Sequence, residues 1–308
     1  MNESKFEFLL EDRITKVQMI NEQYNLIKNS YISLSGGKDS MIVSTLIDIA
    51  LPNNKIPRVF ANTGIEYNLT VKFIKKLSTI DNRVVIVNQT NNIRKTLTKY
   101  GYPFKSKEHS LRVEYFNKGS NANYLYKYIN NYGGFSCPEC LKYQFVERGR
   151  FNYSNKCCYK LKKNLLKNWQ SINNKKICIT GMRQSEGGNR KHINCLTQKQ
   201  HVFNPIAVCD DDWIEWFLNK YSVMLSELYY PPFNFIRTGC KGCPFNLNLQ
   251  NDLKKMYILL PNEYFQCIEL WKPVYDEYIR IGYRLKQYPH LMTRDRLNNL
   301  SEEVKQND

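Results

Sequence analysis

The stretch from residue 31 to residue 50, YISLSGGKDSMIVSTLIDIA, constrains the fold more than any other part of the chain. A short apolar run leads into SGGKDS at residues 35–40, and apolar residues at helical spacing follow. The pattern predicts a strand, a glycine turn and a helix whose cap is Asp39 or Ser40. Adjacent glycines let backbone N–H groups approach a ligand closely, and the first turn of a helix favours an anion. With the charge of Lys38 added, phosphate or sulfate is the expected ligand.

Strand and helix patterns alternate after this stretch. Residues 56–62 and 84–87 are predicted strands, with a predicted helix at 69–77 between them and another at 91–99. Strands separated by helices of this length predict an α/β fold with a doubly wound parallel sheet. In such a sheet ligands lie at the carboxyl ends of the strands, and Thr63, Gly64 and Glu66 follow the second predicted strand.

Three segments of the chain resemble one known family. SGGKDS in its strand–turn–helix context resembles the PP-motif of the adenine nucleotide alpha hydrolase group, which includes the ATP pyrophosphatases and the sulfonucleotide (PAPS and APS) reductases. NTGIEY at residues 62–67 resembles the DTG-plus-acid segment of the PAPS reductase family, with Asn62 where the family often has Asp. KICITGMRQSEGGNR at residues 176–190 resembles the family's strand followed by a G-x-R…R loop, with Gly-Gly-Asn in place of the Ser-Pro-Thr of true reductases. The resemblance covers residues 30–245.

The resemblance implies a site for an adenine nucleotide, either ATP or PAPS or APS. Guanidinium groups of the G-x-R…R loop can bind phosphate or sulfate oxygens bidentately. Lys38, Asp39 and Arg183 are the expected catalytic residues, with Mg²⁺ bridging the phosphates of ATP and Asp39 as a candidate contact for it. The expected nucleotide-binding residues are Ser35, Gly36, Gly37, Lys38, Asp39, Ser40, Thr63, Gly64, Glu66, Gly181, Arg183 and Arg190.

Ten cysteines form a second pattern in the sequence. Reducing compartments keep thiols free, so metal ligation or redox chemistry explains them better than disulfides. Two of the pairs resemble the CC…CxxC arrangement of assimilatory APS reductases, which implies that Cys157, Cys158, Cys240 and Cys243 hold a [4Fe-4S] cluster. The pair at residues 137 and 140, also a CxxC, is left for a zinc or cluster site or for a redox pair.

Composition limits the expected cellular location and binding partners of the protein. The chain has no apolar stretch of membrane-spanning length and its N-terminus does not look like a secretory signal, so a cytoplasmic protein is expected. The formal charge of +17 predicts an anionic partner, which is a nucleotide alone or also DNA or RNA. The alternative source of this charge is a general bias of the sequence toward Lys, Asn, Ile and Tyr.

Three regions are predicted along the chain: an N-terminal helix at 1–30, a nucleotide-binding domain at 31–246 and a helical, basic C-terminal region at 247–308. The central domain carries a cysteine-rich insertion at about 105–170, in which 112–150 is expected to be helical. Three aspartates at 210–212 are expected to stabilise the start of a helix rather than to bind magnesium. Reductases of the family carry their catalytic cysteine in a C-terminal Glu-Cys-Gly segment, whereas the C-terminal region here has only Cys267.

The missing Glu-Cys-Gly segment decides the preferred hypothesis for function. A reductase must form a covalent thiosulfonate on a thiolate, so losing that thiol leaves only nucleotide binding. We therefore expect an enzyme that cleaves ATP to AMP and pyrophosphate and so activates a substrate for iron–sulfur-dependent sulfur transfer. The candidate acceptor is a nucleic acid, as in the DNA phosphorothioation relatives of the family, and the candidate sulfur source is a donor protein. The alternatives are a sulfonucleotide reductase that uses Cys137, Cys140 or Cys267, and a non-catalytic nucleotide or nucleic-acid binding protein.

Overall fold

The computed structural model describes residues 2–132, 136–146, 151–197 and 201–291. The chain forms two compact units. The first, called the sheet unit here, comprises Met1–Gln89, Asn164–Tyr230 and Asn234–Gly239. The second, called the helical unit, comprises Thr90–Lys163, Pro231–Phe233 and Cys240–Asp308.

The described strands and helices follow the predicted alternation in the first part of the chain. The strands are β1 Ser30–Leu34, β2 Arg58–Asn62, β3 Val84–Asn88, β4 Ile177–Ile179, β5 Leu196–Thr197 and β6 Val202–Phe203. The helices are α1 Asn2–Tyr24, α2 Leu26–Asn29, α3 Lys38–Ala50, α4 Asn68–Ile80, α5 Ile93–Tyr100, α6 Lys107–Asn117, α7 Asn123–Ile129, α8 Lys156–Cys158, α9 Asn164–Ile172, α10 Asp211–Lys220, α11 Leu249–Leu259 and α12 Pro261–Arg280.

The sheet unit contains a six-stranded sheet in the order β3-β2-β1-β4-β6-β5. Its strand pairs are parallel except the edge pair of β5 and β6, which is antiparallel. The chain runs outward from β1 to β2 and β3 on one side and then returns to place β4 on the other side of β1. The predicted doubly wound parallel sheet is confirmed, and its topological switch point lies between β1 and β4.

Both faces of the sheet are covered, as a parallel sheet requires. Because side chains alternate along a strand, Ile32 and Leu34 of β1 point to one face and Tyr31 points to the other. The first face packs in one core with apolar residues of α1, α3, α4 and α10. The second face packs against Leu166 and the partly buried Trp169 of α9.

The N-terminal segment is two helices, not the single helix that the pattern predicts. Asn25 has a left-handed backbone with φ of 49°, and its side chain accepts a hydrogen bond from the N–H of Lys28. Asparagine tolerates this conformation better than most residues, so the chain ends α1 and begins α2 at this point. The expected aspartate cap of α10 is confirmed, because the side chain of Asp210 accepts the N–H of Trp213.

The helical unit is built around buried aromatic residues. The ring of Phe104 lies 4.6 Å from that of Tyr278 and 5.2 Å from that of Tyr153. His109 is fully buried between Tyr128 and Gln144, and burial lowers its pKa to about 3, so the ring is neutral. These aromatic residues form a core rather than an exposed stacking surface.

The predicted helical stretch at 112–150 is shorter than expected. The structure has α6 and α7 there, followed by a 3-10 helix at Glu139–Phe145, while residues 133–135 and 147–150 lie outside the described residues. The C-terminal prediction is confirmed for α11 and α12, and residues 292–308 also lie outside the description. Within the described residues, no helix combines the length and the apolar character needed to cross a membrane.

Candidate functional site

The glycine turn joins β1 to α3. Gly36 has a left-handed backbone with φ of 74°, and a Cβ atom there would lie 2.9 Å from Cγ2 of Thr70. Both the conformation and the close approach therefore require glycine. Gly37 is the N-cap of α3 and offers no side chain, so the predicted cap by Asp39 or Ser40 is wrong.

Two serines hold the turn in shape. The hydroxyl of Ser40 donates to the carbonyl of Gly37 at 2.9 Å and lies 3.0 Å from the hydroxyl of Ser35. The N–H of Ser35 donates to Ser40, and the N–H of Gly37 donates to Ser35. Ser35 and Ser40, both predicted as ligand-binding residues, therefore act at least partly within the turn itself.

The loop after β4 reaches the first turn of α3 at Gly181. A Cβ atom on Gly181 would lie 2.8 Å from both the carbonyl carbon and the carbonyl oxygen of Asp39. The loop after β4 and the first turn of α3 therefore meet at a contact that only glycine permits. The predicted nucleotide-binding segments 35–40 and 181–190 lie side by side.

Substituting Gly181 with alanine is expected to lower the free energy of unfolding by about 1–3 kcal/mol, because the added methyl must push backbone atoms of α3 aside. Gly239→Ala is the matched control, since a Cβ atom there meets nothing within 4 Å. Chemical denaturation of both variants checks the prediction. Equal stability of the two variants would mean that the contact at Asp39 is loose.

Arg183 links the two segments electrostatically. Its Nε donates to Oδ1 of Asp39 at 2.8 Å, and its Nη2 lies 2.8 Å from Oδ1 of Asp211. Burial lowers the pKa of Arg183, but the carboxylates of Asp39 and Asp211 outweigh it and leave that pKa raised. Burial raises the pKa of Asp39, and Arg183 offsets this rise only in part. Arg183 is thus the main group that favours the charged form of Asp39.

The other predicted cations also have carboxylate partners. Lys38 Nζ lies 2.7 Å from Oε1 of Glu215, and Arg190 forms a salt bridge with Glu186. Glu186 also pairs with Arg237, Nη1 to Oε1, at 3.1 Å. No role was predicted from the sequence for Glu186, Glu215 or Arg237. For Glu186 a signal was present, because it lies four residues before Arg190 in a loop already assigned to the site.

The predicted residues after β2 lie at the same edge of the sheet. The carboxylate of Glu66 accepts the N–H of Thr63 at 2.9 Å and its hydroxyl at 2.8 Å, and both residues are buried. This pair fixes the loop around Gly64, whose φ is 84°. A cleft opens beside the loop and is lined by Asn62, Gly64, Glu66, Asn68, Val71, Lys72 and Lys75.

Tyr229 and Thr238 cover the glycine turn, and neither residue was predicted from the sequence to lie at the site. The hydroxyl of Tyr229 lies 2.6 Å from that of Thr238 and accepts the N–H of Thr238 at 3.3 Å. A Cβ atom on Gly37 would lie 3.3 Å from the same tyrosine oxygen, and Lys38 Nζ is 5.6 Å from the centre of the ring. No sequence pattern links residues so far apart in the chain.

Three of the four predicted cluster ligands lie close together in the helical unit. Burial raises the pKa of Cys157, and the neighbouring thiols of Cys158 and Cys243 raise it further. Burial likewise raises the pKa of Cys243 to about 12, with Cys158 adding to the effect. Each of these thiols disfavours ionisation of its neighbours because their sulfur atoms are close together. A metal or cluster would bind such a group of sulfur atoms as thiolates. Nevertheless, across the parts of the chain that the structure describes, no group of three or more His, Cys, Asp or Glu side chains is arranged to hold a metal ion.

One face of α12 anchors the turn between Cys240 and Cys243. Trp271 Nε1 donates to the carbonyl of Lys241 at 3.3 Å, and the hydroxyl of Tyr275 donates to that of Gly242. The hydroxyl of Tyr278 donates to the carbonyl of Pro244 at 2.9 Å. Residues 271, 275 and 278 recur at helical spacing, so they share one face of the helix. This spacing was the available sequence signal for their role.

The cysteines proposed as atypical nucleophiles differ in access. Cys267 is 1% exposed, and burial raises its pKa to about 12. Cys137 is equally buried, and burial raises its pKa to about 11, although Lys105 and Tyr128 oppose the rise. Cys140 is exposed. Because the thiolate is the nucleophile, only Cys140 of these three has the access that an attacking sulfur needs.

A protein-family model matches most of the chain. The family model described as phosphoadenosine phosphosulfate reductase domain matches residues 29–246. An uncharacterized protein of Methanocaldococcus jannaschii is 24% identical over 299 residues, which cover 92% of this chain and 60% of that protein. The chain thus spans only about three fifths of the length of this relative.

Similar solved structures share little sequence with the chain. A phosphoadenylyl-sulfate (PAPS) reductase from Candida auris, in a phosphate complex, is 12% identical, covers 73% of this chain and 88% of its own, and has a TM-score of 0.42. The U34-tRNA thiolase NcsA from Methanococcus maripaludis, with its [4Fe-4S] cluster, is 13% identical over 86% of this chain and 79% of its own, with a TM-score of 0.40. An NH3-dependent NAD synthetase from Campylobacter jejuni is 14% identical over 98% and 94%, with a TM-score of 0.39.

Proposed function

The chain belongs to the phosphoadenosine phosphosulfate reductase domain family, and from this premise we propose that it binds ATP at the glycine turn and cleaves it to AMP and pyrophosphate. The observation that carries the proposal is the meeting of the glycine turn with Arg183 at the switch point of the sheet. Ligands of open parallel sheets bind in this crevice. The acceptor would attack the α-phosphate and displace pyrophosphate, and attack by sulfur on the adenylated acceptor would then displace AMP.

The roles of the residues follow from their charges. Amide groups at the start of α3 and the ammonium of Lys38 would stabilise the negative charge that develops on pyrophosphate as it leaves. Arg183 would orient Asp39 and neutralise charge on the phosphate chain. Lys38 must exchange Glu215 for phosphate to do this, and Glu215 is exposed enough to return to solvent.

The charge balance around Arg183 supports binding of ATP together with Mg²⁺. Arg183 faces two carboxylates, those of Asp39 and Asp211, so its single charge does not neutralise both. Carboxylates and phosphate oxygens are the ligands that Mg²⁺ prefers. The ion that accompanies ATP would neutralise the repulsion between these carboxylates and the phosphates. Asp39 would hold it, and we add Asp211, for which the sequence predicted only a role at the start of a helix.

A [4Fe-4S] cluster is the cofactor that we propose for Cys157, Cys158, Cys240 and Cys243. The electrostatic coupling among three of these thiols supports it. The cluster would hold or relay sulfur when bound. Among the described residues no group of three or more His, Cys, Asp or Glu side chains is arranged to hold a metal ion, so the proposal rests on the resemblance and on the proximity of three of these thiols.

Iron and acid-labile sulfide analysis of anaerobically purified protein tests the cofactor. We expect four of each per chain in the wild type, and a loss of most of both in Cys243→Ser, which removes a ligand. Cys195→Ser is the control, because this cysteine lies outside the proposed set. Zinc in place of iron, or iron that survives the Cys243 substitution, would contradict the assignment.

The acceptor and the sulfur source are proposed from the net charge and the family. A formal charge of +17 favours a nucleic acid as the acceptor, and the sulfur would come from a donor protein. Binding of DNA or RNA that weakens steeply with salt would support this part of the proposal.

Incubation of the purified protein with ATP and Mg²⁺ tests the reaction. Formation of AMP and pyrophosphate, with or without added nucleic acid, is the expected result. ADP as the product, or no turnover with any candidate acceptor, would contradict it. Release of sulfite from PAPS or APS with a thiol donor would instead support the reductase alternative, and Cys140 is then the exposed nucleophile to substitute.

A further inference from the structure

An arginine pair held by one buried glutamate lies next to the glycine turn. The side chain of Glu186 is only 6% exposed, and both of its oxygens are engaged. Oε2 accepts the N–H of Arg183 at 3.2 Å and pairs with Arg190, while Oε1 lies 3.1 Å from Nη1 of Arg237. One carboxylate thus fixes two guanidinium groups that come from separate parts of the chain.

The charge of this cluster favours an anion. Two guanidinium groups on one carboxylate leave an excess positive charge, and each guanidinium carries five N–H donors in a planar fork. The side chain of Arg237 is 64% exposed, so most of its donors face solvent. Exposed ion pairs add little to stability and burying a carboxylate costs free energy, so stability alone does not account for the arrangement.

The cluster lies within electrostatic reach of the first turn of α3. Arg183 joins the two, since its Nε donates to Oδ1 of Asp39 at 2.8 Å while its own N–H donates to Oε2 of Glu186 at 3.2 Å. The residue after Arg237 is Thr238, whose N–H and hydroxyl bind the tyrosine oxygen that covers Gly37. The cluster is thus linked to Asp39 through one residue, Arg183, and to the cover of Gly37 through Thr238.

We propose that Arg237 is a substrate-binding residue and that Glu186 is a positioning residue, which holds Arg237 and Arg190 as a clamp for the anionic groups of the nucleotide beyond the glycine turn. The inference rests on the proposed nucleotide site and adds a residue to it. A polyphosphate and a phosphosulfate present the same oxyanions to such a clamp, so the ligand class is a nucleotide with at least two linked anionic groups.

Nucleotide titrations of Arg237→Gln and Arg94→Gln test the clamp. The two arginines are matched, since Arg94 is 59% exposed and also pairs with a glutamate, Glu269, but lies in the helical unit. We expect Arg237→Gln to weaken binding of ATP or of APS by about tenfold or more, and to weaken AMP by less than about threefold. Arg94→Gln should change each affinity by less than about twofold. If Arg237→Gln loses affinity for ATP, the ligand is a polyphosphate. If it loses affinity for APS, the ligand is a phosphosulfate.

Equal affinities of the two variants, in a protein whose wild type binds nucleotide, would overturn the inference and leave the proposed function intact. A wild type that binds no nucleotide would overturn the proposed function itself. Glu186→Gln tests the positioning role, because the Arg237→Gln effect should shrink when Glu186 is already substituted. Strictly additive effects of the two substitutions would mean that Glu186 does not act through Arg237.

Discussion

Replacing Lys38 with methionine is expected to lower the rate of pyrophosphate release from ATP by about 10²–10³, because a charge positioned on the developing anion is worth about 3–4 kcal/mol in a preorganised site. Binding of ATP should weaken much less, since the ammonium would exchange Glu215 for phosphate at little net gain in the ground state. A steady-state assay of pyrophosphate formation, with kcat and KM separated, gives the measurement.

Lys220→Met is the matched control for this substitution. Lys220 ends α10 in the same unit, pairs with Glu7 and stacks on an aromatic ring, as Lys38 does, and the two side chains are 32% and 28% exposed. The rate of pyrophosphate release by Lys220→Met should equal that of the wild type. If Lys38→Met retains full turnover, the ammonium has no catalytic role. If neither protein turns over while both bind ATP equally, the non-catalytic alternative is the better description.

The part of the site that the sequence predicts is the part made from contiguous residues. The turn at SGGKDS can be predicted because the left-handed conformation of Gly36 is one that glycine adopts readily. The close approach of Gly181 to the backbone of Asp39 likewise requires glycine. Alternating apolar runs likewise predict the first three strands to within two residues of their observed ends. Turns and strands of this kind depend on residues that are close together in the chain, so a single sequence is enough to predict them.

The carboxylates of the site could not be predicted in the same way. Asp211 was expected to stabilise a helix terminus, and in the structure its carboxylate also reaches Arg183. Arg237 was not predicted as a site residue, yet it pairs with Glu186. Long-range pairs of this kind depend on which loops the sheet brings together. Only the three-dimensional structure shows that the cations already have partners, and hence that an anionic ligand must compete for them.

The cysteines show the same division between local and tertiary information. Spacing alone identifies Cys240 and Cys243 as a turn with two thiols on one side. It does not show that Cys267 lies against this turn, where a Cβ atom on Gly242 would be 2.9 Å from its sulfur. The tight packing explains why Cys267 is buried and a poor candidate for a nucleophile.

Replacing Arg183 with glutamine is expected to remove about 1–3 kcal/mol from the free energy of unfolding and to abolish pyrophosphate formation, because the partly buried carboxylate of Asp39, 31% exposed, loses its hydrogen-bonded partner. Asp211 contributes little to this loss, since its side chain is exposed. Denaturant unfolding and the pyrophosphate assay measure the two effects. The double variant Asp39→Asn with Arg183→Gln should recover most of the stability, because no carboxylate is left without its partner, but none of the activity.

The loss of stability in Arg183→Gln should also depend on pH in a defined direction. Burial already raises the pKa of Asp39 above 3.8 in the folded protein, and removing Arg183 takes away the main group that opposes the rise. A carboxyl whose folded pKa is raised binds more protons in the folded than in the unfolded state, so stability falls as pH rises from the unfolded to the folded pKa. The variant should therefore be closer to the wild type in stability at pH 5 than at pH 8. A deficit that is constant between these values would show that Asp39 reaches water once Arg183 is gone, and that the guanidinium positions the loop rather than the charge.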